Sequence, residues 1–221
     1  MTTFQTPGPI AVDIDVAGGA VTVIASDRTD TTVEVVPTNP SKSRDVKAAE
    51  KTSVEFADGV VRIHTAEPQN RYFGSSGSLQ ITVQVPAGSR IEGHTAASEL
   101  RGVGRLGDIV FDGAYRQIQI DEAASIRLTA VDGDVEVGRL GGPAQITTAR
   151  GAIRIGQAVR GAVVLHTQQG DISVGAAPGV SASLDAGTSH GRVSNALKNN
   201  GATELDIRAT TGQGDIAARS F

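Results

Sequence analysis

Apolar and polar residues alternate with a period of two along most of this chain, and in the second half one block of alternation recurs. The block reads Gly-Asp-(Ile/Val)-x-apolar. It occurs as Gly107-Asp108-Ile109-Val110-Phe111, Gly133-Asp134-Val135-Glu136-Val137, Gly170-Asp171-Ile172-Ser173-Val174 and Gly214-Asp215-Ile216-Ala217-Ala218. Two degenerate copies fall between them, Gly151-Ala152-Ile153-Arg154-Ile155 and Gly191-Arg192-Val193-Ser194-Asn195, giving Gly-to-Gly steps of 26, 18, 19, 21 and 23 residues. A second alternating pair lies seven and five positions before the glycine: Ile126 and Leu128, Ala144 and Ile146, Val163 and Leu165, Leu184 and Ala186, Ile207 and Ala209. Period-two alternation puts one face of a strand in a core and the other in water. Each repeat therefore reads as strand, Gly turn, strand, turn. A layer this thin cannot bury its apolar face alone and must stack on its neighbours. The fold class predicted is all-β: a β-solenoid, or β-helix, of two-strand coils of about twenty residues.

Stacking in chain order predicts ladders of equivalent residues. One inward ladder is Ile109, Val135, Ile153, Ile172, Val193, Ile216; the next is Phe111, Val137, Ile155, Val174, Asn195, Ala218. The second loses bulk and turns polar at Asn195 and Ala218. That predicts the end of the solenoid, either capped by Phe221 or open to a partner. Facing outward, Glu136 lies above Arg154 and predicts a cross-coil ion pair.

The first part of the chain is also β, in a different register. Ile10, Val12, Ile14 and Val16 alternate, Gly18-Gly19 suggests a turn, and Val21 and Val23 suggest a hairpin partner. Residues 43–51 suit one short helix with Ser43 as its N-cap. Asp58-Gly59, between Val54/Phe56 and Val61/Ile63, is a type I′ hairpin signature. Leu79, Ile81, Val83 and Val85 form a strand ended by Pro86-Ala87-Gly88. The expected organisation is an N-terminal β-rich cap over residues 1–86 and solenoid repeats over 87–221, joined as one unit.

Composition narrows the function classes. The net charge is -4, and the strongest basic stretch, Ser41 to Lys51, also carries Asp45 and Glu50, so no nucleic-acid footprint is expected. There is no Cys, which removes disulfides, thiolate ligands and a cysteine nucleophile. Aromatics are 3% of residues, too few for the stacking platforms of single-stranded nucleic-acid or sugar sites. Residues 1–20 lack a signal-peptide pattern, and no apolar run approaches the ~20 residues of a membrane span. A cytoplasmic location is expected.

The repeated acids are the most suggestive chemistry. In chain order Asp108, Asp134, Asp171 and Asp215 share one position, with Ala152 and Arg192 interposed. Calcium-binding nonapeptide arrays have doubled glycines and a shorter period. Here the acids read as turn geometry and a managed charge ladder, with Arg192 relieving repulsion. The four histidines do not pair at ligand spacing, and His166 should point outward. No serine elbow or phosphate cradle is present, so no catalytic, cofactor-binding or metal residue is assigned. Arg71, Tyr72 and Phe73 bring two of seven aromatics next to a cation, which suits a partner contact.

The Gly-Asp-(Ile/Val) steps, the opening Gly19-Ala20-Val21-Thr22-Val23 and the strand ending Val83-Gln84-Val85-Pro86-Ala87-Gly88 resemble the bacterial β-strand-repeat domain family labelled "putative adhesin", a toast-rack-like β-solenoid. The resemblance runs from about Ile10 to Phe221. It implies stacked β-coils with a β-rich N-terminal cap and carries over no catalytic residue. Three non-enzymatic roles follow as expectations: a protein-binding or scaffold module, a self-assembling structural solenoid of the bactofilin kind joined through its C-terminal coil edge, and a cell-surface adhesin.

Overall fold

The computed structural model describes residues 1–66 and 77–221. Period-two alternation becomes strand almost throughout, and among the described residues sixteen strands join into one sheet. After β1 (Thr2–Gln5), β2 (Ala11–Ser26) runs without a break. Instead of the hairpin expected at Gly18-Gly19, β2 turns a corner there and keeps one neighbour, the strand that begins at Arg90, on both sides of it. Gly19 has φ 138°, and a Cβ would run into the Leu79 carbonyl. The two halves of β2 are thus two arms of one rung, with Val12, Ile14, Val21 and Val23 buried.

Next come β3 (Asp30–Pro37), α1 (Ser43–Glu50), β4 (Thr52–Ala57), β5 (Val60–Thr65) and β6 (Leu79–Pro86). The β4–β5 hairpin turns at Asp58 and Gly59, with φ 53° and 75°, the left-handed pair a type I′ turn requires. Lys42, not Ser43, occupies the helix N-cap position, and no side chain caps the helix. Asp45 in the first turn is buried and accepts the N–H groups of Asn39 at 3.2 Å and Ser78 at 3.1 Å, which ties α1 to the sheet. On the first arm of β2, β5 lies parallel, followed by β4. On the second arm, β6 lies parallel, followed by antiparallel β3 and β1.

On its other side β2 pairs in parallel with β7 (Arg90–Asp132), Ala11 facing Arg90 and Val23 facing Gly102, so the sheet bridges the division expected near Pro86. β7 itself winds through several arms. Gly107 N–H reaches Ser89 O at 2.8 Å, Arg101 reaches Gln119 at 2.6 Å, and Ser125 Oγ reaches Asp108 at 2.5 Å, each across about one coil. One corner has Arg116, at φ 119°, in the position that Gly133 and Gly151 hold in the coils that follow, and a Cβ on Gly133 would meet its carbonyl. Ile118 and Ile120 therefore stand beside Val135 and Val137. The Gly107–Phe111 block belongs to the other arm. The 26-residue step hides a corner without glycine, so Ile109, Phe111 and Asp108 leave the ladders expected for them.

The remaining strands are β8 (Val135–Leu140), β9 (Ala144–Arg150), β10 (Ile153–Ala158), β11 (Gly161–Gln169), β12 (Ile172–Ala176), β13 (Ala182–His190), β14 (Val193–Ala196), β15 (Leu205–Gln213) and β16 (Ile216–Ser220). Their stacking departs from chain order. β15 inserts between β11 and β13, and β16 between β12 and β14. The ladders read Ile126, Ala144, Val163, Ile207, Leu184 on the first arm and Ile118, Val135, Ile153, Ile172, Ile216, Val193 on the second. An interior rung is covered on both sides and rewards bulk. The rung with Leu205, Ile207 and Ile216 takes that place. The rung with Ala186, Val193 and Asn195, poorer in apolar volume, lies outermost.

A threonine ladder lines the corners. Thr167 Oγ1 donates to Gly151 O at 3.1 Å, Thr211 to Gly170 O at 2.9 Å, and Thr188 to Gly214 O at 3.0 Å. These hydroxyls lie on the inner face, buried at Thr167 and Thr211 and half-buried at Thr188, and satisfy carbonyls that the corner turns away from the regular ladder.

Candidate interaction surface

The acids after the corner glycines act as staples between rungs. Asp134 Oδ1 accepts Ala152 N–H at 2.8 Å, Asp171 Oδ1 accepts Asp215 N–H at 2.8 Å, and Asp215 Oδ1 accepts Arg192 N–H at 2.9 Å. The spatial order is Asp134, Ala152, Asp171, Asp215, Arg192. Arg192 does not separate Asp171 from Asp215 as expected. Backbone N–H donation offsets the closeness of those two acids instead, while Arg192 sits at the end of the column, 3.8 Å from Asp215. The Ala152 N–H, followed by the Arg154 side chain, holds the Asp134 carboxyl below its usual range. Arg154 pairs with Asp134 at 3.1 Å rather than with Glu136, although Glu136 is its register neighbour. Asp108 lies on the first arm and accepts Ser125.

Arg71, Tyr72 and Phe73 lie outside the described residues. His166 points outward on β11 as expected, and His64 Nδ1 lies 3.1 Å from Asp15 Oδ2 on the neighbouring strand. Among the described residues, no three His, Asp or Glu side chains group to hold a metal ion, and no helix is long and apolar enough to cross a membrane. An open groove of about 870 Å³ follows the turns between coils, with Arg105, Glu122, Pro143 and Arg160 among its lining.

Phe221 does not fold over the end of the stack. Its ring lies against Gly175 of β12, under the Arg219 guanidinium at 5.0 Å. Among the described residues no strand covers the outermost rung: β13 pairs only with β15 and β14 only with β16. All four residues of β14 are exposed, with Val193 at 47%, and Leu184 and Ala186 are only half-buried.

The peptide groups of this rung have a defined direction. Successive residues of a strand point their N–H and C=O to alternate sides. Ala182 gives its N–H to Lys198 O at 3.0 Å, and its carbonyl accepts Asn199 Nδ2 at 3.2 Å, both away from β15. Ser181 O faces the other way and accepts from Glu204 and Leu205. Leu184, Ala186 and Thr188 continue the Ala182 side. Their peptide groups face outward, past the point where the 197–204 connection covers the strand. Two signals that identify this surface escaped the sequence reading: the threonine three residues before Gly151, Gly170, Gly191 and Gly214, which marks each corner, and the connection between Ala196 and Leu205, long enough to return inside the previous rung.

A family model described as Toastrack DUF4097 matches residues 11–220. No curated protein matches the chain. The chain is similar to a crystal structure described as a "putative adhesin" from Bacteroides fragilis, with 16% identity, TM-score 0.47, and 98% of this chain and 95% of that one covered. It is also similar to a "putative cell adhesion protein" from Clostridium sporogenes, with 9% identity, TM-score 0.42, and 100% and 98% covered.

Proposed function

The chain belongs to the Toastrack DUF4097 family, and we propose that it serves as a non-enzymatic scaffold, a stack of β-rungs that keeps its last rung open to pair with another polypeptide strand. The observation that carries this function is the outward direction of the Leu184, Ala186 and Thr188 peptide groups, on a strand paired with β15 on one side and engaged on the other at Ala182 by the 197–204 connection. Unpaired N–H and C=O groups in a row are complementary to an extended backbone, the basis of strand addition. The repeat carboxylates support the same role, because they are engaged in holding rungs together rather than free for chemistry.

Site-specific photo-cross-linking in the native host tests it. A cross-linker at Asp185 or Ser194, both exposed on the open rung, should give protein adducts. A cross-linker at Arg127, exposed in mid-stack, should not. Equal adducts at both places, or none at the rung, would refute the scaffold function.

A further inference from the structure

We propose that Asn200 modifies itself. Its side chain closes on the backbone nitrogen of Gly201, releases ammonia and leaves isoaspartate in the strap, residues 197–204, that fastens the outermost rung. The site goes beyond the scaffold function and does not depend on it.

Asn200 and Gly201 form the one Asn-Gly pair of the sequence. Asparagine is a thermolabile residue, because its side-chain amide lies within reach of the next peptide nitrogen. Glycine offers that nitrogen with no Cβ beside it. Both residues are exposed, and no heavy atom lies within 4 Å of where a Gly201 Cβ would stand. Asn200 Oδ1 accepts the Ala202 N–H at 3.0 Å. That donor polarises the carbonyl under attack and stabilises the charge its oxygen gains in the tetrahedral adduct. Asp58-Gly59, Asp112-Gly113 and Asp132-Gly133 do not match it. An ionised carboxylate resists a nucleophile, and the Gly133 nitrogen is locked in the ladder, donating to Arg150 O at 2.8 Å.

The reaction balances with water alone. The Gly201 nitrogen gives up its proton and bonds Asn200 Cγ; the Cγ–Nδ2 bond breaks, and Nδ2 leaves as ammonia with that proton. Water then opens the cyclic succinimide. Cleavage at Cγ gives aspartate. Cleavage at the main-chain carbonyl gives isoaspartate, in which the backbone runs through Cβ and Cγ. One water is consumed and one ammonia released.

Asn199 restrains the step. Its Oδ1 accepts the Gly201 N–H at 2.8 Å, a bond that must break before the nitrogen can attack. Its Nδ2 donates to Ala182 O at 3.2 Å, which fixes the side chain in place.

The product acts on the rung. Ser181 and Ala182 open the outermost rung and are held by the strap on two sides. Asn200 N–H reaches Ser181 Oγ at 3.1 Å and Lys198 O accepts Ala182 N–H at 3.0 Å, while Glu204 N–H reaches Ser181 O at 2.9 Å. Isoaspartate adds a carbon to the main chain between these anchors and turns the Asn200 amide into a carboxylate. The strap loosens, and the start of β13 loosens with it.

Peptide mass mapping of the full chain, incubated at mildly alkaline pH, tests the site. A gain of about 1 Da should appear at Asn200, as isoaspartate and aspartate together, and rise with pH. Asn200→Gln should abolish it. Asn199→Ala should speed it about fivefold, the weight of one ordinary hydrogen bond. By hydrogen exchange, the Ala182 amide should be less protected in the modified chain than in Asn200→Gln. No gain, a gain at another residue, or aspartate without isoaspartate would overturn the site. An unchanged rate in Asn199→Ala would overturn the restraint, and equal protection at Ala182 would overturn the effect on the rung.

Discussion

Asp134 Oδ1 accepts the backbone N–H of Ala152 at 2.8 Å, so a side chain from one rung completes the corner of the next. Asp134→Ala leaves that N–H without its carboxylate and frees Arg154 from its partner. With about half of the side chain exposed, the loss should be about 1 kcal/mol at neutral pH, and smaller for Asp134→Asn, which keeps an acceptor. The pH dependence follows from the depressed pKa. The contribution is complete above the unfolded carboxylate value of about 3.9 and is lost as pH falls through the lower folded value. Thermal melts should show the gap between the native chain and Asp134→Ala narrowing below about pH 4. A gap constant down to pH 2 would show that the carboxylate charge is not responsible.

Thr167 is fully buried, and its hydroxyl donates to Gly151 O at 3.1 Å. Thr167→Val keeps the shape and leaves that carbonyl short of a donor, at a cost of about 1–2 kcal/mol. Thr167→Ser, which retains the donor, should cost less. Urea unfolding of the two variants compares them directly, and an equal loss would assign the effect to packing instead of the hydrogen bond.

Arg116 holds φ 119° at a corner where Gly133 and Gly151 adopt similar values. A side chain at positive φ costs about 1–2 kcal/mol, part of which glycine's greater chain entropy returns to the unfolded state. Arg116→Gly should therefore raise the melting temperature, by a few degrees at most. A lower melting temperature would mean that the Arg116 side chain contributes contacts worth more than the relieved strain.

Much of the repeat is legible from residue spacing because a buried strand face leaves a period-two imprint. Val163 and Leu165, like Val135 and Val137, are inward as their spacing predicts. The corner at Arg116 was illegible because its conformation is imposed by the stack on a residue that does not favour it. The order of the last two rungs was illegible for another reason. Both carry the same pattern, and only the contrast in bulk between Ile207 and Ile216 on one side and Ala186 and Asn195 on the other decides which is covered. At the candidate surface, Val193 and Asn195 already pointed to a weak end, while the outward peptide groups of Leu184, Ala186 and Thr188 depend on backbone pairing that side-chain periodicity does not record.

Phe221 offers a check on how the end is built. Its ring rests on Gly175, away from the open rung. Deleting Phe221 should remove the contact with Arg219, worth about 0.5–1 kcal/mol at an exposed site, and leave the association state unchanged. A change in mass by light scattering would mean that the residue reaches the rung after all.

The insertion of the final coil inside the penultimate one also bears on how the chain is made. Asp215 reaches back 44 residues to Asp171, whereas Ala152 reaches back only 18 to Asp134. Early coils can be laid down as they leave the ribosome, each on the one before. The last cannot: residues 205–220 must reach a gap flanked by β11 and β12 on one side and by β13 and β14 on the other. Loop closure over longer distances slows folding. A chain stopped at residue 204 would lack the layer that holds 182–196 in place, so a short C-terminal truncation should detach two coils and not one.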